Sequence, residues 1–292
     1  MTDAAPTLFD QPAIARNLAR ALADGNLPSF LEELAADELA DRLGLINRQF
    51  REVGIVSFAA DKLEALVRPA LAPGASVRSI PVIAGNRLTL EQPQLEPESF
   101  DCLIVSSSLE WVNDLPGTLS LLRRALKPDG VLLAAMLGGD TLNELRQAWL
   151  QAEAELSGGA SPRVAPFADV RETGSLLQRA GLALPVVDAD RLTVRYASAL
   201  NLMQELKSFG LSNALAARRR GLVPPRLLAA ASAACDAQFA DPDGRVRATF
   251  QMLYLTGWAP HESQPRPLRP GSAKASLAEA LNVVERKLPK GE

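Results

Sequence analysis

The chain has 292 residues, enough for one large domain or two small ones, and its 47% apolar content is that of a packed globular protein. A net charge of −3 argues against a nucleic-acid partner held by bulk electrostatics. The single histidine excludes a multi-histidine metal site, Cys102 and Cys235 make no disulfide or metal-ligand pattern, and no apolar window reaches the ~18 residues of a membrane-spanning helix.

Residues 1–8 read as disordered. Asp3, Asp10, Arg16, Arg20 and Asp24 are not a basic start followed by an apolar secretory core, so a cytoplasmic location is expected. Ile14–Ala23 and Ser29–Phe50 carry helical patterns, with Ser29 as a possible N-cap and Glu32 and Glu33 in the first turn. Glu52–Phe58 is the first expected strand, Ala60–Leu71 a short helix, and Ser76–Ala84 a second strand interrupted by Pro81. Gln92–Pro97 is a loop.

Residues 99–145 carry the clearest pattern. Two apolar runs, Cys102–Val105 and Val131–Met136, flank a helix with Leu119, Leu122 and Leu126 on one face. Lys127–Gly130 stops that helix, with Gly130 available for a left-handed turn. Strand, crossover helix and second buried strand make a βαβ unit and imply a parallel sheet.

Thr141–Leu156, Asp169–Ala180, Ser198–Phe209 and Pro225–Phe239 read as helices. Pro185–Val194 and Arg247–Trp258 read as a late antiparallel strand pair, followed by a tail with a short helix near Ala275–Val284. The expected organisation is an N-terminal helical segment over 1–50, an α/β domain over 51–260 with a helical insertion near 198–240, and a tail over 261–292.

The wording within this frame is more specific than the frame. An acidic residue closing strand 4, a helix ending in Leu-Lys-Pro-Asp-Gly and an apolar strand 5 resemble the class I S-adenosylmethionine-dependent methyltransferases. Residues 110–116 (EWVNDLP), 138–146 (GGDTLNELR), 158–167 (GGASPRVAPF) and 261–267 (HESQPRP) resemble one branch of them, that of the mitochondrial complex I assembly factor 5 and its alphaproteobacterial relatives. The malonyl-carrier-protein methyltransferases of biotin synthesis are a more distant likeness. The resemblance implies a Rossmann-like, seven-stranded fold with helical insertions, S-adenosylmethionine as cofactor, and hydroxylation of an arginine in the iron–sulfur subunit of complex I. Fold alone does not settle the reaction.

The cofactor pattern departs from the family form. The acidic residue and Gly-rich turn expected after strand 1 fall on Glu52–Leu63, where Ile55 takes the acidic position and Ser57 and Asp61 replace glycines. Val77–Asn86 supplies no acid at the end of strand 2, and the acidic run before strand 4 is reduced to Glu91 and Gln92. A nonstandard turn that still binds and a lost site are both open.

Ligands in open α/β sheets bind at strand C-termini. Ser106, Ser107 and Trp111 are therefore the candidate cofactor contacts. Candidate substrate contacts are Glu110, Asp140, Thr141, Glu144, Arg163, His261 and Glu262. Each has a plainer reading: a polar loop for the serines, core for Trp111, a solvent-facing Glu110, a helix cap for Asp140 or Thr141, a surface Arg163, and a structural His261. Arg218–Arg220 reads as a solvated helix end or a docking patch. Arg163→Ala and Glu144→Ala are expected to weaken partner capture and leave stability nearly unchanged. No catalytic residue is assigned and no metal is expected.

Three functions stay open. The first is a complex I assembly factor that modifies an arginine of an iron–sulfur subunit, peripheral at the inner membrane through that partner. The second is an ordinary methyltransferase. The third is a pseudoenzyme that binds protein only.

Overall fold

The computed structural model describes residues 7–265. Residues 7–260 belong to one compact unit, and residues 261–265 belong to a second that is described by itself. Residues 1–6 of the expected disordered start, Arg266 and Pro267, and the helix expected near Ala275–Val284 lie outside the described residues.

The chain opens with α1 (Gln11–Ala23), where the Asp10 side chain accepts from Ala13 N at 3.1 Å. In α2 (Phe30–Gly44), Ser29 and Glu32 form the capping box. The helix expected to continue to Phe50 stops at Gly44, a poor helix former, and Phe50 opens β1 (Phe50–Val56) as a buried strand residue. Next, α3 (Ala60–Val67) ends two residues before Pro69, earlier than expected. β2 (Leu71–Ile80) stops at the residue before Pro81, which has no N–H for a ladder.

A two-residue hairpin of β3 (Ile83–Ala84) and β4 (Arg87–Leu88) comes next, then β5 (Phe100–Ser106), α4 (Leu115–Ala125) and β6 (Leu126–Leu137). The left-handed position before the buried part of β6 is taken by Asp129, at φ 61°, and not by Gly130. The remaining elements are α5 (Asn143–Ser157), α6 (Val170–Arg179), β7 (Ala183–Tyr196), α7 (Ala199–Ser208), α8 (Pro225–Phe239) and β8 (Val246–Trp258).

The main sheet has the order β2-β1-β5-β6-β8-β7. The pairs β2/β1, β1/β5 and β5/β6 are parallel, whereas β8 runs antiparallel to both β6 and β7. This is the expected mostly parallel α/β architecture. The strand count is corrected, since the sheet holds six strands among the described residues where seven were expected. The segment between β2 and β5 carries Pro81, Pro93 and Pro97 and no strand-length apolar run, so it forms the separate β3/β4 hairpin.

Strand alternation divides the core. Leu103 and Val105 of β5 and Leu132, Ala134 and Met136 of β6 join α1, α4 and α6 on one face. Cys102 and Ile104, with Val131, Leu133 and Ala135, join α2, α3, α5, α7 and α8 on the other. β5 is buried along its whole length, as expected for a central parallel strand covered on both faces. The N-terminal helices are thus part of the same core as the sheet.

Gly54 illustrates how packing sets sequence here. A Cβ at Gly54 would lie 2.6 Å from Leu103 Cδ2 and 2.8 Å from Phe100 Cε1. The glycine is required by close packing between β1 and β5.

Candidate functional site

Ligand sites in this architecture lie at the C-terminal edge of the parallel strands, and two regions of that edge differ sharply. At the ends of β1, β2 and β5 the space is filled. Val56, Ile80, Val82, Leu88, Leu90, Val105 and Leu109 are buried together with Ile14 and Leu18 of α1. Ile55 is a core side chain of the opposite face. Ser57 is buried, and its hydroxyl accepts from Ala59 N at 3.0 Å. Asp61 is exposed in the first turn of α3.

Glu91, the acid before β5, is fully engaged. Its Oε2 accepts from Gln11 Nε2 at 2.9 Å and from Asn113 N at 3.0 Å, and its Oε1 accepts from Asn113 Nδ2 at 3.0 Å. Asn113 also clasps Phe9 through both backbone groups, and Gln11 Nε2 donates to the Trp111 carbonyl. The EWVND stretch therefore ties the N-terminal segment across the strand ends.

These residues do not fit S-adenosylmethionine in the family manner. Neither β1 nor β2 ends in an acid, and the turn after β1 closes on itself. The apolar face of α1 is buried in the same cluster as the residues at these strand ends. Calorimetric titration with S-adenosylmethionine is therefore expected to show no tight binding. A dissociation constant in the low micromolar range, about −8 kcal/mol, would contradict this.

Around β5 a water-sized space of about 20 Å³ remains, lined by Leu18, Glu32, Ser107, Glu110 and Trp111 among others. Ser106 is buried with its Oγ 3.1 Å from that of Ser107, and Ser107 sits at φ 62°, an uncommon backbone for serine. Glu110, read above as solvent-facing, is in fact only 8% exposed in a 3₁₀ turn. Its Oε2 and the Ser108 Oγ are buried without a hydrogen-bond partner among the described residues. Burial pushes the Glu110 carboxyl up to about 8, with Glu32 adding to the shift against a lowering backbone hydrogen bond, so the group is protonated at neutral pH.

The second region is open. Over the ends of β6 and β8 lies a cavity of about 270 Å³. Its floor is Leu137 and Phe250, and its walls come from α5, the loop after α5, α7 and the segment that follows α7. Trp111 stands at the boundary of the two regions, edge-on to Phe9 at 5.5 Å and to Phe167 at 5.6 Å.

Gln251 of β8 builds the turn at the cavity floor. It receives Gly138 N at 2.8 Å on its carbonyl and Asp140 N at 3.1 Å on its side chain, and it exchanges two hydrogen bonds with Thr141 Oγ1. A Cβ on Gly138 would meet Gln251 Oε1 at 2.5 Å, which accounts for the glycine. The sequence reading of Asp140 or Thr141 as the cap of α5 is corrected: neither caps it. The N-cap is Leu142 at φ 54°, Thr141 is spent on Gln251, and Asp140 pairs with Arg191. Glu144 accepts from Thr249 N at 3.1 Å and Thr249 Oγ1 at 2.6 Å, so it fastens α5 to β8.

Arg163 is not a surface residue. It lines the cavity, stacks over Trp149 at 4.6 Å and donates through Nε to Glu153 Oε1 at 2.8 Å. The Glu153 side chain is 3% exposed and that of Arg163 13%. Burial would raise the Glu153 carboxyl, but the bonds from Ser161 and Arg163 outweigh it and hold it below the usual range. Arg146 Nη2 donates to the Ala165 carbonyl at 3.0 Å and pins the same loop.

Of the candidates named from sequence, Trp111, Thr141 and Arg163 meet at this cavity, while Ser107, Glu110 and Trp111 meet at the smaller space. Asp140 and Glu144 hold the turn. His261 and Glu262 are exposed in the second unit, where His261 Nδ1 lies 2.8 Å from Ser263 Oγ. Arg218 is no solvated helix end: it lies beyond α7 and pairs with Asp10 at 2.8 Å. Among the described residues no group of three or more His, Cys, Asp or Glu is placed to hold a metal ion. Reading the sequence missed Met203, Lys207 and Phe250, which also line the cavity. Only the apolar stripe of α7 hinted that the late helical insertion covers something.

Residues 48–134 match the methyltransferase domain family. The mitochondrial arginine-hydroxylase NDUFAF5 of Homo sapiens is 43% identical over 194 residues, 66% of this chain and 56% of that protein. The malonyl-[acyl-carrier protein] O-methyltransferase of Halorhodospira halophila is 38% identical over 161 residues, 55% of this chain and 52% of that protein. The chain thus spans about half the length of the curated relatives it matches. A solved putative methyltransferase from Bacillus halodurans superposes with a TM-score of 0.49 at 11% identity, covering 77% of this chain and 99% of that one.

Proposed function

We propose that the chain is a member of the NDUFAF5-like branch of the class I methyltransferases, with S-adenosylmethionine as that family's cofactor, and an assembly factor of the respiratory complex I type. On this reading its partner is an iron–sulfur subunit of complex I, and an arginine of that subunit is the residue acted on. The single observation that carries the reading is convergence. Three segments with the most specific family wording, 110–116, 138–146 and 158–167, supply Trp111, Thr141, Leu145, Arg163 and Phe167 to one cavity at the strand edge. Their rim is the surface offered to the partner. No helix among the described residues is long and apolar enough to cross a membrane, so a place at the inner membrane would be peripheral and borrowed from the partner.

The filled ends of β1, β2 and β5 favour a second reading, in which the chain holds its partner without acting on it. A deletion strain separates the two. Loss of assembled complex I together with loss of the arginine modification supports the first. Loss of assembly with the modification intact supports the second. Normal assembly and normal modification would overturn both.

A further inference from the structure

We propose that the cavity over the ends of β6 and β8 is a binding site for a small amphipathic monoanion, a medium-chain carboxylate with its chain inside and its head at the rim. The interior is mostly apolar and includes four aromatic residues, Trp111, Trp149, Phe167 and Phe250. Its volume of about 270 Å³ falls just below the ~300–1,000 Å³ range of small-molecule sites, which suits a small ligand.

The polar groups decide the head group. No carboxylate lines the cavity. Arg163 is neutralised by Glu153, the Thr141 hydroxyl is spent on Gln251, and the Asn213 amide is spent on the Pro162 carbonyl and Leu215 N. Lys207 is exposed on α7 and forms no ion pair among the described residues. A cation at the mouth of an apolar chamber selects an anion with an apolar body. A guanidinium entering the same chamber would meet Lys207 and find no carboxylate in the lining. An arginine side chain is therefore the wrong occupant, and any arginine of a partner has to be met at the rim. The inference goes beyond the assembly role and does not depend on the identity of the partner.

The test is titration of the whole chain with hexanoate, decanoate and decylammonium, followed by calorimetry and by the fluorescence of Trp111 and Trp149. Decanoate is expected to bind, with affinity rising roughly fourfold per methylene from hexanoate. Decylammonium is expected to bind at least about tenfold more weakly than decanoate. Lys207→Glu should reverse the head-group preference while leaving thermal unfolding unchanged. Met203→Trp should fill the chamber and abolish binding, and if that variant fails to fold, Lys207→Glu still decides. Equal binding of decanoate and decylammonium, no binding of decanoate, or a head-group preference unaltered in Lys207→Glu would each overturn the proposal.

Discussion

Glu153→Ala is expected to lower the thermal unfolding midpoint by roughly 10 °C. Glu153 is a buried carboxylate that accepts from Arg163 Nε at 2.8 Å and from the Ser161 hydroxyl at 2.8 Å. Removing it leaves a half-buried guanidinium and the Ser161 amide without their acceptor. Breaking such a pair from one side costs about 3–5 kcal/mol. Arg163→Ala should be comparably harmful, because it also strips the cover from Trp149. This corrects the expectation from sequence that Arg163 is an exposed and thermally neutral position. Exchanging both partners for apolar residues, Glu153→Leu with Arg163→Met, should recover most of the loss, since a buried pair and an apolar pair are often similar in stability. The pH dependence has a definite sign. The folded Glu153 carboxyl is held below its unfolded value, so its contribution is present above the unfolded carboxylate range near ~4.3 and is lost as pH falls through the folded value. Circular dichroism melts of the four proteins at pH 7 and pH 4 check this, and a shift under about 2 °C for Glu153→Ala at pH 7 would contradict it.

Glu110→Gln should remove a fall in stability that the unaltered chain shows between mildly acidic and mildly alkaline pH. Burial raises the Glu110 carboxyl to about 8, whereas the unfolded chain titrates it near ~4.3. A raised carboxyl means that the folded chain holds the proton longer. Its stability is therefore complete below the unfolded value and declines as pH rises toward 8, at up to about 1.4 kcal/mol per pH unit. Glutamine keeps the shape and cannot ionise, so its curve should lack that slope. Asp10, Glu153 and Asp243, whose folded values are lowered, change the slope only at acid pH and are common to both proteins. Urea unfolding at pH 5.5, 6.5 and 7.5 reads the difference. Parallel stability curves for the two proteins would mean that Glu110 reaches water.

Much of the scaffold was legible in the residues. The runs around Cys102–Val105 and Val131–Met136 had to be buried strands, and their spacing across one helix required them to pair in parallel. Pro225–Phe239 has the bounds expected from its pattern, and Ser29 and Glu32 form the cap that their spacing implies. Ile55, Ser57 and Asp61 already showed the loss of a family pattern. Local periodicity carries such information, because alternation and capping depend on neighbours within a few residues. The wording of 110–116, 138–146 and 158–167 likewise singled out segments that meet at one cavity.

Tertiary structure decided what those segments do. No local pattern distinguishes a solvent-facing Glu110 from a buried one, because its burial comes from α1, α2 and the end of β6. Arg163 reads as a loop arginine until α5 brings Glu153 and Trp149 against it. Gln251 carries no signal in the sequence, yet it holds Gly138, Asp140 and Thr141 from more than 100 residues away. The covering of the strand ends by α1 and the cavity under α7 arise in the same way. Sequence by itself determined most of the strands and helices and which family wording they carry. The fold alone determined which side chains lose water and meet, because desolvation and pairing are set by contacts between residues far apart in the chain.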